Sequence, residues 1–106
     1  MAQTITNAEF DSVVLKSKVP VVVDFFAPWC GPCKLMAPLF DQVSEEMGDR
    51  CVMVKVNIEE DRDLAIKYSI TSIPTLLFVK NGEIVGKETG FMGKEMLLEI
   101  MTDLVK

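Results

Sequence analysis

The sequence predicts an α/β fold, a mixed five-stranded sheet flanked by four helices, and three observations point to it. Val21-Val22-Val23-Asp24-Phe25-Phe26 and Cys51-Val52-Met53-Val54-Lys55-Val56-Asn57 are nearly continuous apolar runs, the pattern of central strands covered on both faces. Segments with helical apolar spacing alternate with them. Asn81-Gly82 separates two further short apolar runs and reads as the tight turn of a hairpin. The resulting order is β-α-β-α-β-α-β-β-α. A chain of 106 residues, 49% hydrophobic and 25% charged, suits a single domain over 1–106 with one core.

Each element has a local reason. Thr4-Ile5-Thr6 is a short edge strand. Thr6-Asn7-Ala8-Glu9 has the Thr-x-x-Glu form of a capping box, opening a helix that buries Phe10, Val13 and Val14 and ends at Lys18-Val19-Pro20. The helix starting at Pro32 carries Met36, Leu39, Phe40, Val43 and Met47 on one stripe, with Gly48 as its stop. Pro38 inside it removes a hydrogen bond and predicts a kink. Glu59-Glu60-Asp61 places acid at the start of a short helix through Leu64, Ala65 and Tyr68. Thr75–Val79 and Glu83–Gly86 are the hairpin strands, with Gly82 and Gly86 as turn and strand-fit residues. The last helix carries Met92, Met96, Leu97, Ile100, Met101 and Leu104 as one apolar packing stripe. No repeat, linker or low-complexity tract interrupts the chain.

Composition narrows the function classes. A net charge of −5 disfavours nucleic acid and membrane surfaces, which attract basic patches. Met1 to Thr6 has neither a basic nor an apolar leader region, and no apolar run approaches the roughly 20 residues of a membrane helix. Three cysteines, one of them outside the motif described next, suit a reducing compartment. A cytoplasmic location is the expectation.

The chemistry concentrates at Cys30-Gly31-Pro32-Cys33, where a buried strand runs into a helix. Cysteines at i and i+3 of a helix have β-carbons about 5–6 Å apart, and a small rotation brings them to the about 3.5–4.5 Å of a disulfide. Pro32 suits a first helical turn, where N–H groups lack partners. Cys30 then sits at the helix N-terminus, where free N–H groups and the dipole favour a thiolate. The spacing predicts an exposed nucleophile at Cys30 and a shielded partner at Cys33. Zinc would need about four ligands, and three cysteines with no histidine argue against a metal site. A purely structural disulfide over so short a loop would constrain the unfolded chain little. A redox-active pair is the reading adopted.

Other residues interrupt the apolar pattern. Asp24 is a carboxylate in a two-sided apolar strand, costly unless paired or protonated; a surface-facing strand residue is the alternative. Read as a buried acid with raised pKa, it takes the proton of Cys33. Lys55 interrupts the second central run, either as a snorkelling lysine or as a cation near Asp24. Trp29, in a Pro- and Gly-rich turn, suits a partly exposed rim contacting substrate. Cys51 reads as a small buried hydrophobe, with a regulatory thiol as the alternative. The isomer of the Ile73-Pro74 bond is open from sequence.

Asp24-Phe25-Phe26-Ala27-Pro28-Trp29-Cys30-Gly31-Pro32-Cys33-Lys34 resembles the active-site stretch of the thioredoxin family, and Ile73-Pro74-Thr75 resembles its cis-proline loop. With length and element order, the resemblance covers essentially the whole chain. Gly-Pro between the cysteines is the pairing of this family, whereas glutaredoxins and protein disulfide isomerases usually differ there. The resemblance implies the thioredoxin fold and a thiol–disulfide oxidoreductase, a general reductant of protein disulfides and electron carrier acting through Cys30 and Cys33. It implies Asp24 as proton acceptor, and Gly31, Pro32, Lys34 and Lys55 as groups that tune the pair. It further implies Trp29, Ile73, Pro74 and Gly90 as substrate contacts. The implied electron donor is a flavin-dependent thioredoxin reductase; a monomer with no bound cofactor is expected. Phe26 and Pro28 depart from the commonest family pattern, which bears on partner preference. The rivals are a disulfide oxidase or isomerase, and a binding module whose thiols are incidental.

Overall fold

The centre of the sheet is β2, Val21–Phe26, buried as far as Phe25 and half-buried at Phe26. The structure, a computed structural model, describes residues 2–106; Met1 lies outside the described residues. β2 pairs in parallel with β3 (Val52–Asn57) and antiparallel with β4 (Thr75–Lys80). β1 (Gln3–Thr4) lies parallel to β3, and β5 (Glu83–Thr89) antiparallel to β4. The order β1-β3-β2-β4-β5 is the mixed five-stranded sheet expected. Four helices accompany it: α1 (Asn7–Phe10), α2 (Gly31–Met47), α3 (Arg62–Lys67) and α4 (Lys94–Leu104).

Successive strand side chains point to opposite faces, and this sorts the interior into two cores. Val22, Met53, Leu76 and Phe78 pack with Met36, Phe40, Val43 and Met47 of α2 and Leu97 and Met101 of α4. Val21, Val23, Phe25, Val54, Val56, Leu77 and Val79 pack on the other face with Phe10, Val14 and Leu64. Asp24 and Lys55 are directly opposite in the β2–β3 register. Alternation puts Asp24 on the same face as Val22, and Lys55 on the same face as Met53, beneath α2.

Several boundaries differ from the sequence expectation. β1 starts one residue and ends two residues earlier than expected, with Ile5 fully buried and its N–H bonded to Lys55 O at 2.8 Å. Glu9 supplies the return half of the capping box, accepting the Thr6 N–H at 3.0 Å. The helix then widens into a π-turn over Asp11–Leu15, closed by Lys16 N–H to Asp11 O at 3.0 Å. It stops before Lys18 because Ser17 takes over, its hydroxyl bonding Val19 O at 2.8 Å. The same end meets the hairpin: a Cβ on Gly82 would lie 2.9 Å from Leu15 O. α2 continues as one helix through Pro38 and is closed by Gly48, whose φ is 56° and whose N–H bonds Ser44 O. Glu59 and Glu60 lie in a turn ahead of α3 rather than in its first turn, with Asp61 at the N-cap. β5 runs three residues past Gly86, to Thr89. On α4, Met96 is exposed rather than part of the packed stripe, and Leu98 is the half-buried residue beside Leu97.

The hairpin turn is as predicted, with left-handed Asn81 and Gly82 between Lys80 and Glu83. Farther along, the register shifts between Phe78 and Val79: Val79 faces Ile84 whereas Phe78 faces Gly86, leaving Val85 as a bulge. A Cβ on Gly86 would stand 3.3 Å from the Phe78 ring.

Ser69, just past α3, has a φ of 57°, a left-handed conformation costing a side-chain-bearing residue about 1–2 kcal/mol. Glycine would relieve that strain and return about 0.4–1 kcal/mol of unfolded-chain freedom. Ser69→Gly is therefore expected to stabilise the protein by roughly 0.5–1 kcal/mol. Urea unfolding checks this: the midpoint should rise with an unchanged slope.

Candidate active site

β2 ends at Phe26 and α2 begins at Gly31, so the turn Ala27-Pro28-Trp29-Cys30 is the whole connection. Cys30 is the N-cap of α2, in extended conformation, and its Sγ accepts the Cys33 N–H at 3.2 Å. Gly31 and Pro32 are the first two helical residues, so the N–H that Pro32 lacks is one the helix could not have used. Cys30 and Cys33 are joined as a disulfide, with Cα atoms 5.2 Å apart, inside the ordinary range of about 4.4–6.8 Å. The structure is thus of the oxidised pair.

The expected contrast between an exposed Cys30 and a shielded Cys33 is absent. Cys30 is 4% exposed and Cys33 3%, so the two do not differ in the oxidised protein as an exposed and a shielded sulfur would. The cause is packing: Phe26, Ile58 and Ile73 close over Ala27 and both cysteines, and the helix N-terminus occupies the inner side of Cys30 Sγ.

Behind the disulfide lies a cleft of about 120 Å³ lined by Asp24, Phe26, Pro28, Cys33, Lys34 and Lys55, among others. It brings the carboxylate and the inner cysteine to one space. Asp24 is 1% exposed, and its Oδ1 has no hydrogen-bond partner among the described residues. Burial raises its pKa from the ordinary 3.8 to about 7; Lys55 pulls it down and Asp41 pushes it up, each less strongly than burial. The carboxylate is buried rather than surface-facing. Lys55 is half-buried and near Asp24, but its ammonium pairs with Asp41 of α2 at 3.4 Å. Gly31, Pro32 and Lys34 are exposed on the first turn.

The residues expected to meet substrate come from three separate loops. Trp29 is 64% exposed, its indole N–H donating to Glu59 Oε2 at 2.8 Å. The turn after β3 holds that acceptor in place: Asn57 Oδ1 accepts the Glu59 N–H at 2.9 Å. Ile73 packs against the cysteine cluster, and the Ile73–Pro74 bond is cis. Gly90 has a φ of 102° and donates its N–H to Pro74 O at 2.8 Å, with open space where a Cβ would stand. Its neighbour Phe91 is exposed. Pro28 lies at the cleft and Phe26 over the cysteines, so both unusual residues border the disulfide.

Glu59 and Asp41 are the site residues that sequence reasoning missed. Glu59 reads locally as a helix-start acid, and Asp41 as an unremarked helix residue between Phe40 and Val43; neither has a local signal for a partner 30 or 14 residues away. Cys51 is buried and its thiol pushed up to about 11 by that burial, as a small core hydrophobe behaves. No helix among the described residues is long and apolar enough to cross a membrane.

Comparison with known proteins adds an independent line. The family model described as thioredoxin matches residues 1–103. A thioredoxin of Bacillus subtilis (strain 168) is 48% identical over 81 residues, covering 76% of this chain and 78% of that protein. Thioredoxin 1 of Synechococcus elongatus is 43% identical, covering 92% and 91% respectively. A thioredoxin of Haemophilus influenzae is 41% identical, covering 88% and 87%.

The raised pKa of Asp24 sets a stability profile. Its folded value, about 7 against 3.8 ordinarily, means that ionisation costs nothing well below pH 3.8, where both states are protonated. Stability is lost as pH rises to 7, by up to about 4 kcal/mol. Asp24→Asn removes the titration. The variant should gain on the parent progressively between pH 4 and pH 7, and the gap should then level off. Urea unfolding across that range checks it; a gap independent of pH would contradict the assignment.

Proposed function

The chain belongs to the thioredoxin family, and on that premise we propose that Cys30 is the attacking sulfur, Cys33 the resolving sulfur and Asp24 the proton acceptor for Cys33. The protein is a thiol–disulfide oxidoreductase, a protein-disulfide reductase working through a redox-active cysteine pair. The observation that carries the residue roles is the shared cleft of Asp24 and Cys33 behind a disulfide seated on a helix N-terminus.

In the reduced protein the Cys30 thiolate attacks one sulfur of a substrate disulfide. A Cys30–substrate disulfide forms, and the other substrate sulfur leaves as a thiolate. The Cys33 N–H and the helix dipole favour charge on Cys30 Sγ before the attack. Asp24 then accepts the Cys33 proton, and Cys33 attacks Cys30 Sγ. The mixed disulfide breaks, the second substrate thiolate departs, and the Cys30–Cys33 bond remains. Two electrons pass from the pair to the substrate. The electrons reside in the cysteine pair, and the reading needs no bound cofactor.

Gly31, Pro32 and Lys34 shape the first helical turn on which the thiolate sits; Lys55 tunes the cleft through its charge. Trp29, Ile73, Pro74 and Gly90 form the docking rim, with the Ile73 backbone available to pair with an extended substrate segment by strand addition. Phe91 beside Gly90, with Pro28 and Phe26, adapts that rim to its partners. The chain is read as one domain over 1–106, acting as a monomer and as a general reductant and electron carrier. A flavin-dependent thioredoxin reductase returns it to the dithiol. A reducing compartment, the cytoplasm, suits a core that keeps Cys51 as a free thiol.

Two measurements test the reading. Equilibrium titration of the pair in dithiol buffers, followed by Trp29 fluorescence, should give a midpoint near the value general to thioredoxins, about −270 mV. A midpoint near about −180 to −120 mV would make the protein a disulfide donor or isomerase. In turnover, Cys30→Ser should abolish attack, whereas Cys33→Ser should accumulate the mixed disulfide. Asp24→Asn should slow release of that species while leaving the first attack nearly intact. If both cysteine variants kept full function, the pair would be incidental to a binding role.

A further inference from the structure

We propose that Asp41 is a positioning residue for the resolving step: it anchors the Lys55 ammonium on the α2 side of the cleft and so keeps it from pairing directly with Asp24. The proposal rests on the reading of Asp24 as proton acceptor for Cys33.

Strand alternation and register put Asp24 and Lys55 side by side on one face of the sheet. A lysine and a buried carboxylate at directly opposite register positions on one face are placed to pair. A carboxylate beside a cation is typically held ionised, with its pKa lowered by about 1–3 units. Here the Lys55 ammonium instead makes its ion pair with Asp41 Oδ1, 3.4 Å away, with the two side chains 14% and 23% exposed. Asp41 Oδ1 also accepts the backbone N–H of Ala2 at 3.0 Å, so the carboxylate is fixed from a second side. Asp24 Oδ1 is left without a partner among the described residues.

Of the titratable and charged groups around Asp24, Lys55 comes from β3 and Cys33 and Lys34 from α2, all lining the cleft; Asp41 of α2 acts on it by charge, and β4 places Leu76 opposite it. Asp41 is therefore the group whose removal changes where the half-buried cation of this cleft points. Its own negative charge acts in the same sense, raising the pKa of Asp24. Freed from Asp41, Lys55 would turn to Asp24 and hold it as a carboxylate that neither accepts nor releases a proton readily near neutral pH.

Asp41→Asn is nearly isosteric and keeps an acceptor for the Ala2 N–H; Asp41→Ser removes the charge with a smaller side chain. The test follows the Asp24 carboxyl carbon by NMR against pH in the oxidised full chain, its signal assigned by loss in Asp24→Asn. In both Asp41 variants the midpoint should fall by about one pH unit. In a Lys55→Met background the same Asp41 substitutions should move it much less. The pH profile of mixed-disulfide release should shift with the carboxyl titration, a change that loss of packing alone would not give. An unmoved midpoint overturns the proposal. An equal shift with and without Lys55 also overturns it, because Asp41 would then act by its own charge and not by holding the lysine. Unchanged release kinetics in Asp24→Asn would instead remove the proton-acceptor reading, while the carboxyl titration would still decide whether Asp41 holds Lys55.

Discussion

A carboxylate kept from water at the centre of the sheet is the constraint around which the rest is arranged. Asp24 occupies a position where every neighbour along β2 is apolar, and the cost of charging it there outweighs the attraction of the nearby lysine. The result is an acid whose pKa is raised by burial to about 7, which weakens rather than anchors the fold when it is charged. Its location follows from period-2 alternation: Asp24 shares the face of Val22, and that face is covered by α2. The helix that shields the carboxylate is the same helix whose first turn carries Cys33.

The cysteine pair meets a complementary requirement, since it must close and reopen without unfolding its surroundings. The two residues stand one helical turn apart, and their Cα separation of 5.2 Å lies inside the disulfide range. Closing the bond therefore asks for side-chain rotation, while the backbone from Gly31 onward is held by the helix. The Cys33 N–H points at Cys30 Sγ, so a donor that any helix start leaves unused is aimed at the sulfur. Burial of both cysteines under Phe26, Ile58 and Ile73 means that a partner must approach through the rim of those residues.

What sequence discloses here is what neighbours in the chain decide. The central strands, the cysteine spacing, the Asn-Gly turn and the anomaly of Asp24 each rest on residues within a few positions of one another, and each stands in the structure. The pairing of Trp29 with Glu59 and of Lys55 with Asp41 is different in kind. Each joins charged or polar groups on separate elements, and the local pattern around Glu59 or Asp41 suits an ordinary solvent-facing acid equally well. The exposure of Cys30 misled for a related reason. A helix N-terminus is usually open, and it is residues 26, 58 and 73, contributed by other segments, that cover this one. Met96 fails likewise, since helical spacing alone cannot say how wide a stripe the sheet will cover.

The far side of the site depends on a register that a single residue sets. From the turn at Asn81-Gly82, β4 and β5 pair as Lys80 with Glu83 and Val79 with Ile84. Continued without change, that pairing would bring Thr75 opposite Glu88. The bulge at Val85 inserts one residue, and Thr75 instead faces Thr89, with their hydroxyls 3.3 Å apart. Gly90 then falls beside Pro74, and its N–H meets the Pro74 carbonyl at 2.8 Å. Because one residue of slip exchanges the faces of a strand, losing the bulge would turn Thr89 away from Thr75 and carry Gly90 past Pro74. The glycine is thus brought to Pro74 by a local irregularity some five residues back in the chain, where Gly86 lets the Phe78 ring approach the strand. The contact between Gly90 and the cis-proline loop is only as well placed as the bulge that positions it.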